Sequence, residues 1–516
     1  MCNLACGITT TVLGVALVGV ASYLGYGLVP NIVEGLIKNE VQLINGTEQM
    51  ERFEEIPFGL SFKVFIFSIT NPEEVLTGGV PVMKELGPYV YKIFQYRLIE
   101  EMTEDTITYR RKDILEFDRE ASYPYTEDDQ VTVANVAFHG ILQTAEQLFP
   151  SLMGAMSLAL GGIFGNHTSP IMTIRVGDLL LDGVSLCKEP GLIGGVACAQ
   201  IRTLASDVRN LDEMEDGSLS FSILGYKHNR SSELYVVSRG IEDPLTMGII
   251  STFDNSTFLN YWRDDVVDGE VTPSVCDMVN GTDSGVFPPF VDREQSIYAL
   301  NTDICRSVEL RYQYDSNYEG IPVARYTANE WFLDNNQGCF CLNVTRGITR
   351  DDGCLLTGAA ELYSCVGAYL VLTYPHFLYG DFTYRHGVIG MTPSEDKHRL
   401  VVDLEPNTGT IITGAKRAQF NIFFRSISSI TSTQNLRTTL VPILWVEESM
   451  NLPEEYVDML TNRLLRPLRL VDILVPVLIA VCALVVLAGV IILIRVRSMK
   501  KTDVLVTGPR EDTPPT

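Results

Sequence analysis

The chain has 516 residues, enough for two to four average domains, and its 46% apolar and 20% charged composition is that of a folded protein rather than a disordered one. A net charge of -25 disfavours nucleic acid and other polyanions as partners unless a local basic patch intervenes, and no nucleic acid is expected. The charge is uneven. The tail after Ile494 has five basic residues against three acidic ones, a net +2, and residues 1–28 carry no charge, so the remainder carries -27.

Met1 to Cys6 is too short to fold. Cys2 and Cys6 would lie at a membrane edge, where cysteines are candidates for palmitoylation. Gly7 to Leu28 follows without a charged side chain. It is longer than a signal-peptide core of about 7–15 residues and lacks a basic leader, so an uncleaved anchor is expected. Ile473 to Ile494 is a second uncharged run, of 22 residues. At about 1.5 Å per residue it is roughly 33 Å long, enough for a hydrocarbon core of about 30 Å. Arg495, Arg497, Lys500 and Lys501 come next, a cluster that favours the cytoplasmic side. The expected layout is a cytoplasmic segment 1–6, a span 7–28, an ectodomain 29–472, a span 473–494 and a cytoplasmic tail 495–516. Six N-x-S/T acceptors, at Asn45, Asn166, Asn229, Asn255, Asn280 and Asn343, all fall in the ectodomain.

Within the ectodomain, Leu60 to about Tyr96 is apolar and aromatic, with turn signals at Asn71-Pro72 and Gly87-Pro88, and Thr106 to Arg111 alternates like a strand. Residues 131–165 are rich in Ala, Leu, Met and Gly. Their last 18, Leu148 to Gly165, are uncharged, the lower limit for a third span. A third span would put Asn45 and the later acceptors on opposite sides, and Pro150 and four glycines interrupt the run. A helical pair exposing apolar surface is expected instead, with Phe149, Leu152, Met153, Met156, Leu160 and Phe164 as candidate ligand contacts. Cys187 and Cys198 bracket a Gly-rich segment, expected to be a loop clipped by a disulfide. Asp212 to Gly217 lacks the alternating ligand order of a calcium loop and is expected to be a solvated acidic turn. From 219 to 446 short strand-like runs recur (Ser220–Leu224, Leu234–Val237, Arg399–Leu404, Gln419–Arg425, Leu440–Val446), which predicts an α+β fold with a largely antiparallel barrel or meander.

Cys276, Cys305, Cys339, Cys341, Cys354 and Cys365 lie close together. In a glycosylated, oxidising compartment disulfides outrank zinc, and six cysteines allow 15 pairings. No G-x-S-x-G, H-E-x-x-H, P-loop or dinucleotide fingerprint is present, so neither an enzyme nor a cofactor is expected. His376 and His386, flanking Asp381, are the nearest approach to a histidine cluster and are expected to be structural.

Several of these segments together resemble the class B scavenger receptors. The motifs are Asn71-Pro72-Glu73-Glu74-Val75, Gly87-Pro88-Tyr89-Val90-Tyr91, Cys276-Asp277-Met278 with Asn280-Gly281-Thr282, Phe287-Pro288-Pro289-Phe290, Asp303-Ile304-Cys305-Arg306-Ser307, Gly320-Ile321-Pro322, Cys339-Phe340-Cys341, Pro375-His376-Phe377-Leu378, His398-Arg399, Glu405-Pro406-Asn407-Thr408-Gly409, Ala415-Lys416-Arg417 and Val441-Pro442-Ile443-Leu444-Trp445. In order, and with both spans, they cover essentially the whole chain. The resemblance implies an antiparallel β-barrel ectodomain topped by a helical bundle far from the membrane. It also implies the pairings Cys276–Cys339, Cys305–Cys365 and Cys341–Cys354. Residues 131–165 would be the apical ligand-binding helices, and an apolar tunnel would carry fatty acids, cholesterol or cholesteryl esters towards the bilayer. Lipoproteins or other protein ligands are the implied partners, and an adhesion or protein-carrier receptor without lipid transfer is the alternative. Two departures bear on this. The fatty acid translocase branch has lysines just after the apical helices, where this chain has Asn166-His167-Thr168, which argues against a preference for anionic ligands. The Cys187/Cys198 segment resembles a lineage-specific addition. The tail lacks the acidic dileucine-type signal of the lysosomal branch, which favours the plasma membrane over lysosomal or endosomal membranes.

Overall fold

A computed structural model describes residues 4–267, 269–334 and 340–506. It divides into two compact units, one made of both chain ends (Met1–Glu40 with Leu452–Thr516) and one of Val41–Asn451.

In the first unit the long helices α1 (Leu4–Glu40) and α5 (Glu454–Met499) are each long and apolar enough to cross a membrane. They pack on each other through small residues. Gly7, Gly14 and Ala21 are the buried positions of α1's first 20 residues, seven apart. Gly14 lies against the Val486 backbone and Gly489 of α5 against Thr11, the close approach that apolar helices use where no water drives them together.

The second unit is built on a thirteen-stranded antiparallel sheet. Its main strands are β1 (Leu60–Ile69), β2 (Met83–Met102), β3 (Thr106–Phe117), β4 (Ser231–Ser238), β5 (Ile250–Phe253), β6 (Ile297–Asn301), β7 (Arg306–Tyr318), β8 (Ile321–Ala328), β9 (Leu400–Leu404), β10 (Ile411–Phe424) and β11 (Thr439–Asn451). They lie in the order β5-β4-β3-β2-β1-β11-β10-β9-β8-β7-β6. The open ends are joined by Gly281-Thr282. The Ile250 amide on β5 donates to the Gly281 carbonyl at 2.8 Å, while the Leu300 amide on β6 donates to the Thr282 carbonyl at 2.8 Å and the Thr282 amide to Tyr298 at 3.2 Å. This short segment closes the sheet into a barrel and leaves no open ladder there. Only glycine fits at 281, since φ is +81° and a Cβ would stand 1.9 Å from the Tyr298 carbonyl oxygen.

The strand signals of the sequence fall inside longer strands, because barrel pairing extends ladders beyond the residues that alternate clearly. Thr106–Arg111 is the first half of β3, and Gln419–Arg425 falls almost entirely at the end of β10. Ser220–Leu224 differs. Only Leu219–Phe221 is extended, in a separate three-stranded sheet. The Gly87-Pro88 signal is not a turn between strands but an irregularity within β2, where its register against β1 slips between Val64 and Ile66.

The inward face changes character along the barrel. On β2 and β3, Tyr91, Ile93, Leu115 and Tyr109 are buried beside Gln95, Arg97 and Asp113. Arg97 Nε donates to Asp283 Oδ2 at 2.8 Å, and Lys227 Nζ donates to Asp303 at 2.9 Å. Burial opposes both carboxylates' charge, yet the adjacent cations hold them well below the usual aspartate range.

Candidate ligand cavity

Residues 136–164 form two helices, α2 (Val136–Leu148) and α3 (Met153–Phe164), bent by 117° at Phe149-Pro150. At about 1.5 Å per residue each arm is only roughly 20 Å long, too short to cross a bilayer alone. Asn135 caps α2 by accepting from the Phe138 amide at 3.1 Å. His139 is sealed beneath it, stacked on Phe424 at 4.5 Å, and burial pushes its pKa down to about 3.

Cys187 and Cys198 are joined, with Cα atoms 5.8 Å apart. The residues they bracket are not the loop expected from their glycines. They begin a 15-residue helix, α4 (Gly191–Ala205). The glycines serve helix packing instead. A Cβ on Gly194 would meet the Gly162 Cα at 2.9 Å, so α3 and α4 cross at a point where only glycine fits on either side.

Under these three helices lies a cavity of about 680 Å³, within the ~300–1,000 Å³ range of small-molecule sites. It runs from Leu192, Ile193 and Val196 at its mouth to Ile422 on the barrel strand β10. Leu192 is 91% and Val196 70% exposed, whereas Ile422 is fully buried, so the cavity leads from solvent to the barrel wall. Among the described residues, no ionisable side chain lines it except the Tyr369 phenol, whose hydroxyl is bonded to Gln147. The Thr144 hydroxyl is engaged by the Gly140 carbonyl at 3.0 Å. Glu146, close by on α2, is held by Arg425 and Arg346.

Of the candidate ligand contacts, Phe149, Leu152, Met153 and Met156 line the cavity. Leu160 and Phe164 do not. Leu160 packs against the core, and Phe164 is 1% exposed, tilted on Phe138 of α2 at 5.3 Å. Sequence reasoning missed the α4 wall. Its signal was the spacing of Ile193, Ala197, Gln200, Ile201 and Leu204, which share one helical face. Asn166-His167-Thr168 follows α3, with the His167 carbonyl accepting from Asn135 Nδ2 at 2.8 Å.

The remaining site residues are placed as follows. Cys305 is joined to Cys365 and Cys341 to Cys354. Cys276 is also disulfide-bonded, and Cys339 lies outside the described residues. Cys6 is disulfide-bonded as well, and Cys2 lies outside the described residues. Asn45, Asn166, Asn229, Asn255 and Asn343 are exposed and Asn280 is half-buried. Asp212–Glu213 forms a short strand that turns back at Asp216, whose carboxylate accepts from the Ser218 amide at 2.9 Å. His376 does not meet His386. Its Nε2 lies 2.6 Å from Glu85, which also accepts from Trp445 Nε1 at 2.9 Å, and its ring stacks on His398. Burial would raise Glu85, but the hydrogen bonds from His376 and Trp445 hold it below its usual value. Asp381 caps the next short helix at Thr383.

The family model for the CD36 family matches residues 12–493. The chain belongs to the CD36 family. It is 34% identical over 517 aligned residues to sensory neuron membrane protein 2 of Drosophila melanogaster, covering 89% of this chain and 92% of that relative. It is 31% identical to sensory neuron membrane protein 2 of Anopheles gambiae, over 89% of this chain and 88% of that protein. It is 32% identical to sensory neuron membrane protein 1 of Manduca sexta, over 95% and 91%. These are class B scavenger receptors, as the sequence motifs indicated, and the two terminal helices fit a membrane receptor of the CD36 family.

Proposed function

We propose that this CD36-family protein is a cell-surface receptor that takes a long, apolar, uncharged lipid into the cavity beneath α2, α3 and α4 and passes it on through the barrel towards the bilayer. The observation that carries this reading is that, among the described residues, no charged side chain lines the 680 Å³ of apolar space. Each Å² of hydrocarbon withdrawn from water there gains about 25 cal/mol. An ionised head group would gain nothing comparable, since a buried charge without a partner is strongly disfavoured. A sterol, a sterol ester or an aldehyde or ester of a long chain therefore fits better than a free fatty acid anion. No bond is made or broken, and direction follows the lipid gradient.

Ala145 and Ala197 line opposite helices of the cavity and are only half-buried, so a tryptophan at either fills space rather than displacing core. Ala145→Trp and Ala197→Trp should each lower uptake of a fluorescent cholesteryl ester by cells at least five-fold at unchanged surface expression. Mass spectrometry of the purified full-length protein should find neutral lipid in the parent and little in either variant. A lipid-free parent whose protein ligands still bind would instead favour an adhesion or carrier receptor, since the exposed Leu192, Ile193 and Val196 of α4 would equally seat a protein.

A further inference from the structure

A second cavity, of about 370 Å³, lies between the end of α4 and strands β3 and β4. It shares the Val208 and Leu211 walls with the apolar cavity, but its chemistry is opposite: its lining has four basic side chains and four acidic ones. Three of the basic groups are matched. Arg111 lies 3.2 Å from Asp113, Lys227 2.9 Å from Asp303, and Arg230 is bonded to Asp212. Arg209 and Glu233 form no ion pair among the described residues. Among the described residues, Arg209 has no carboxylate within 4.0 Å. It donates to the Thr302 carbonyl at 2.7 Å, points towards Cys305 Sγ at 3.6 Å, lies over the Tyr226 ring, is hydrogen-bonded to the Tyr261 hydroxyl and helps to hold Asp303 ionised from a greater distance. Glu233 is exposed at the rim and, among the described residues, has no cation within the same distance. Both act on one group. The Tyr261 hydroxyl, raised first by burial, is lowered by Arg209 and raised by Glu233, so both charges stand within electrostatic reach of it.

We infer that this cavity is a site for a small amino-carboxylate zwitterion. A cavity in which every charge is paired has no use for a charged ligand. One that leaves a single guanidinium and a single carboxylate at separate points matches a molecule carrying both complementary charges. The planar fork of Arg209 suits a carboxylate, and Glu233 accepts an ammonium. The volume is at the lower end for small-molecule sites, about 300 Å³, and admits an amino acid rather than a lipid.

The test uses the full-length protein in detergent micelles, titrated calorimetrically with glycine, β-alanine, 4-aminobutanoate and 6-aminohexanoate, and with butanoate and butylammonium as single-charge controls. One chain length should bind saturably and at least ten-fold more tightly than either control. Glu233→Gln should erase its advantage over butanoate, and Arg209→Gln its advantage over butylammonium. Arg209→Lys, which keeps the charge without the fork, should fall between. Thermal unfolding of each variant identifies any that fails to fold, and Glu233→Gln, at an exposed rim position, keeps the test decisive. Equal binding of butanoate and 4-aminobutanoate would reduce the cavity to a bare anion site and overturn the inference, as would no saturable binding by any member of the series.

Discussion

The carboxylate of Asp283 accepts from Arg97 Nε at 2.8 Å and from the Tyr109 hydroxyl at 2.8 Å, with the arginine and aspartate side chains 1% and 2% exposed. Arg97 Nη1 also donates to the Phe53 carbonyl at 2.6 Å, so the pair links β2 and β3 to the helix that precedes β1 and to the closing segment near Gly281. Removing one partner leaves a charge with no water and no counterion. Asp283→Ala should therefore cost about 3–5 kcal/mol in denaturant unfolding, whereas Arg97→Met with Asp283→Leu should recover most of that loss. None of this was visible in sequence, because Arg97 and Asp283 are 186 residues apart and each stands in an ordinary polar context. Local residues were more legible. Five of the six Asn acceptors are exposed, and three of these, Asn229, Asn255 and Asn343, adopt the positive φ that asparagine tolerates.

At the scale of elements, helix α4 is the informative case. Its glycines made it read as a loop, since glycine lowers helix propensity by about 1 kcal/mol and marks turns in most contexts. Contact with Gly162 overrides that preference. By contrast α2 and α3 were legible as a broken helical pair, because Pro150 and the acceptor at Asn166 together exclude one continuous span. The Cys187–Cys198 bridge fastens the middle of α4 beside β-strand Val184–Leu186 and the α3 core, where the Cys187 amide donates to the Ile163 carbonyl at 2.8 Å. A clip on a short loop removes about 3 kcal/mol of chain entropy from the open state. A Cys187→Ser, Cys198→Ser double variant should thus leave the barrel intact while the α4 amides exchange at least ten-fold faster in hydrogen–deuterium exchange, with faster release of lipid from the cavity. Equal exchange in the two proteins would show that glycine packing alone holds the helix.

For the molecule as a whole, two buried histidines set the response to acid. Burial takes His139 down to about 3, and burial together with neighbouring His376 takes His398 to about 4, against an unfolded value near 6.5. Both are therefore neutral in the folded chain at pH 5, where the unfolded chain would protonate them. Folded stability from these groups is complete above about pH 6.5 and falls as pH drops towards 4, by about 1.4 kcal/mol per pH unit for each histidine. The depressed carboxylates Asp283 and Asp303 act lower. Their contribution is present above the ordinary aspartate value near 3.9 and is lost only below it, so the two effects occupy separate windows. His139 stacks on Phe424 at the barrel end of α2 while His398 packs with Trp445 on β11, so the first window loosens two distant parts of one core. Unfolding midpoints in urea should hold steady from pH 8 to 7, then decline between 6.5 and 4. His139→Gln, which keeps a donor for the Pro170 carbonyl, should remove about half of that slope without changing the plateau. A parent protein as stable at pH 5 as at pH 7.5 would mean that neither ring is held neutral.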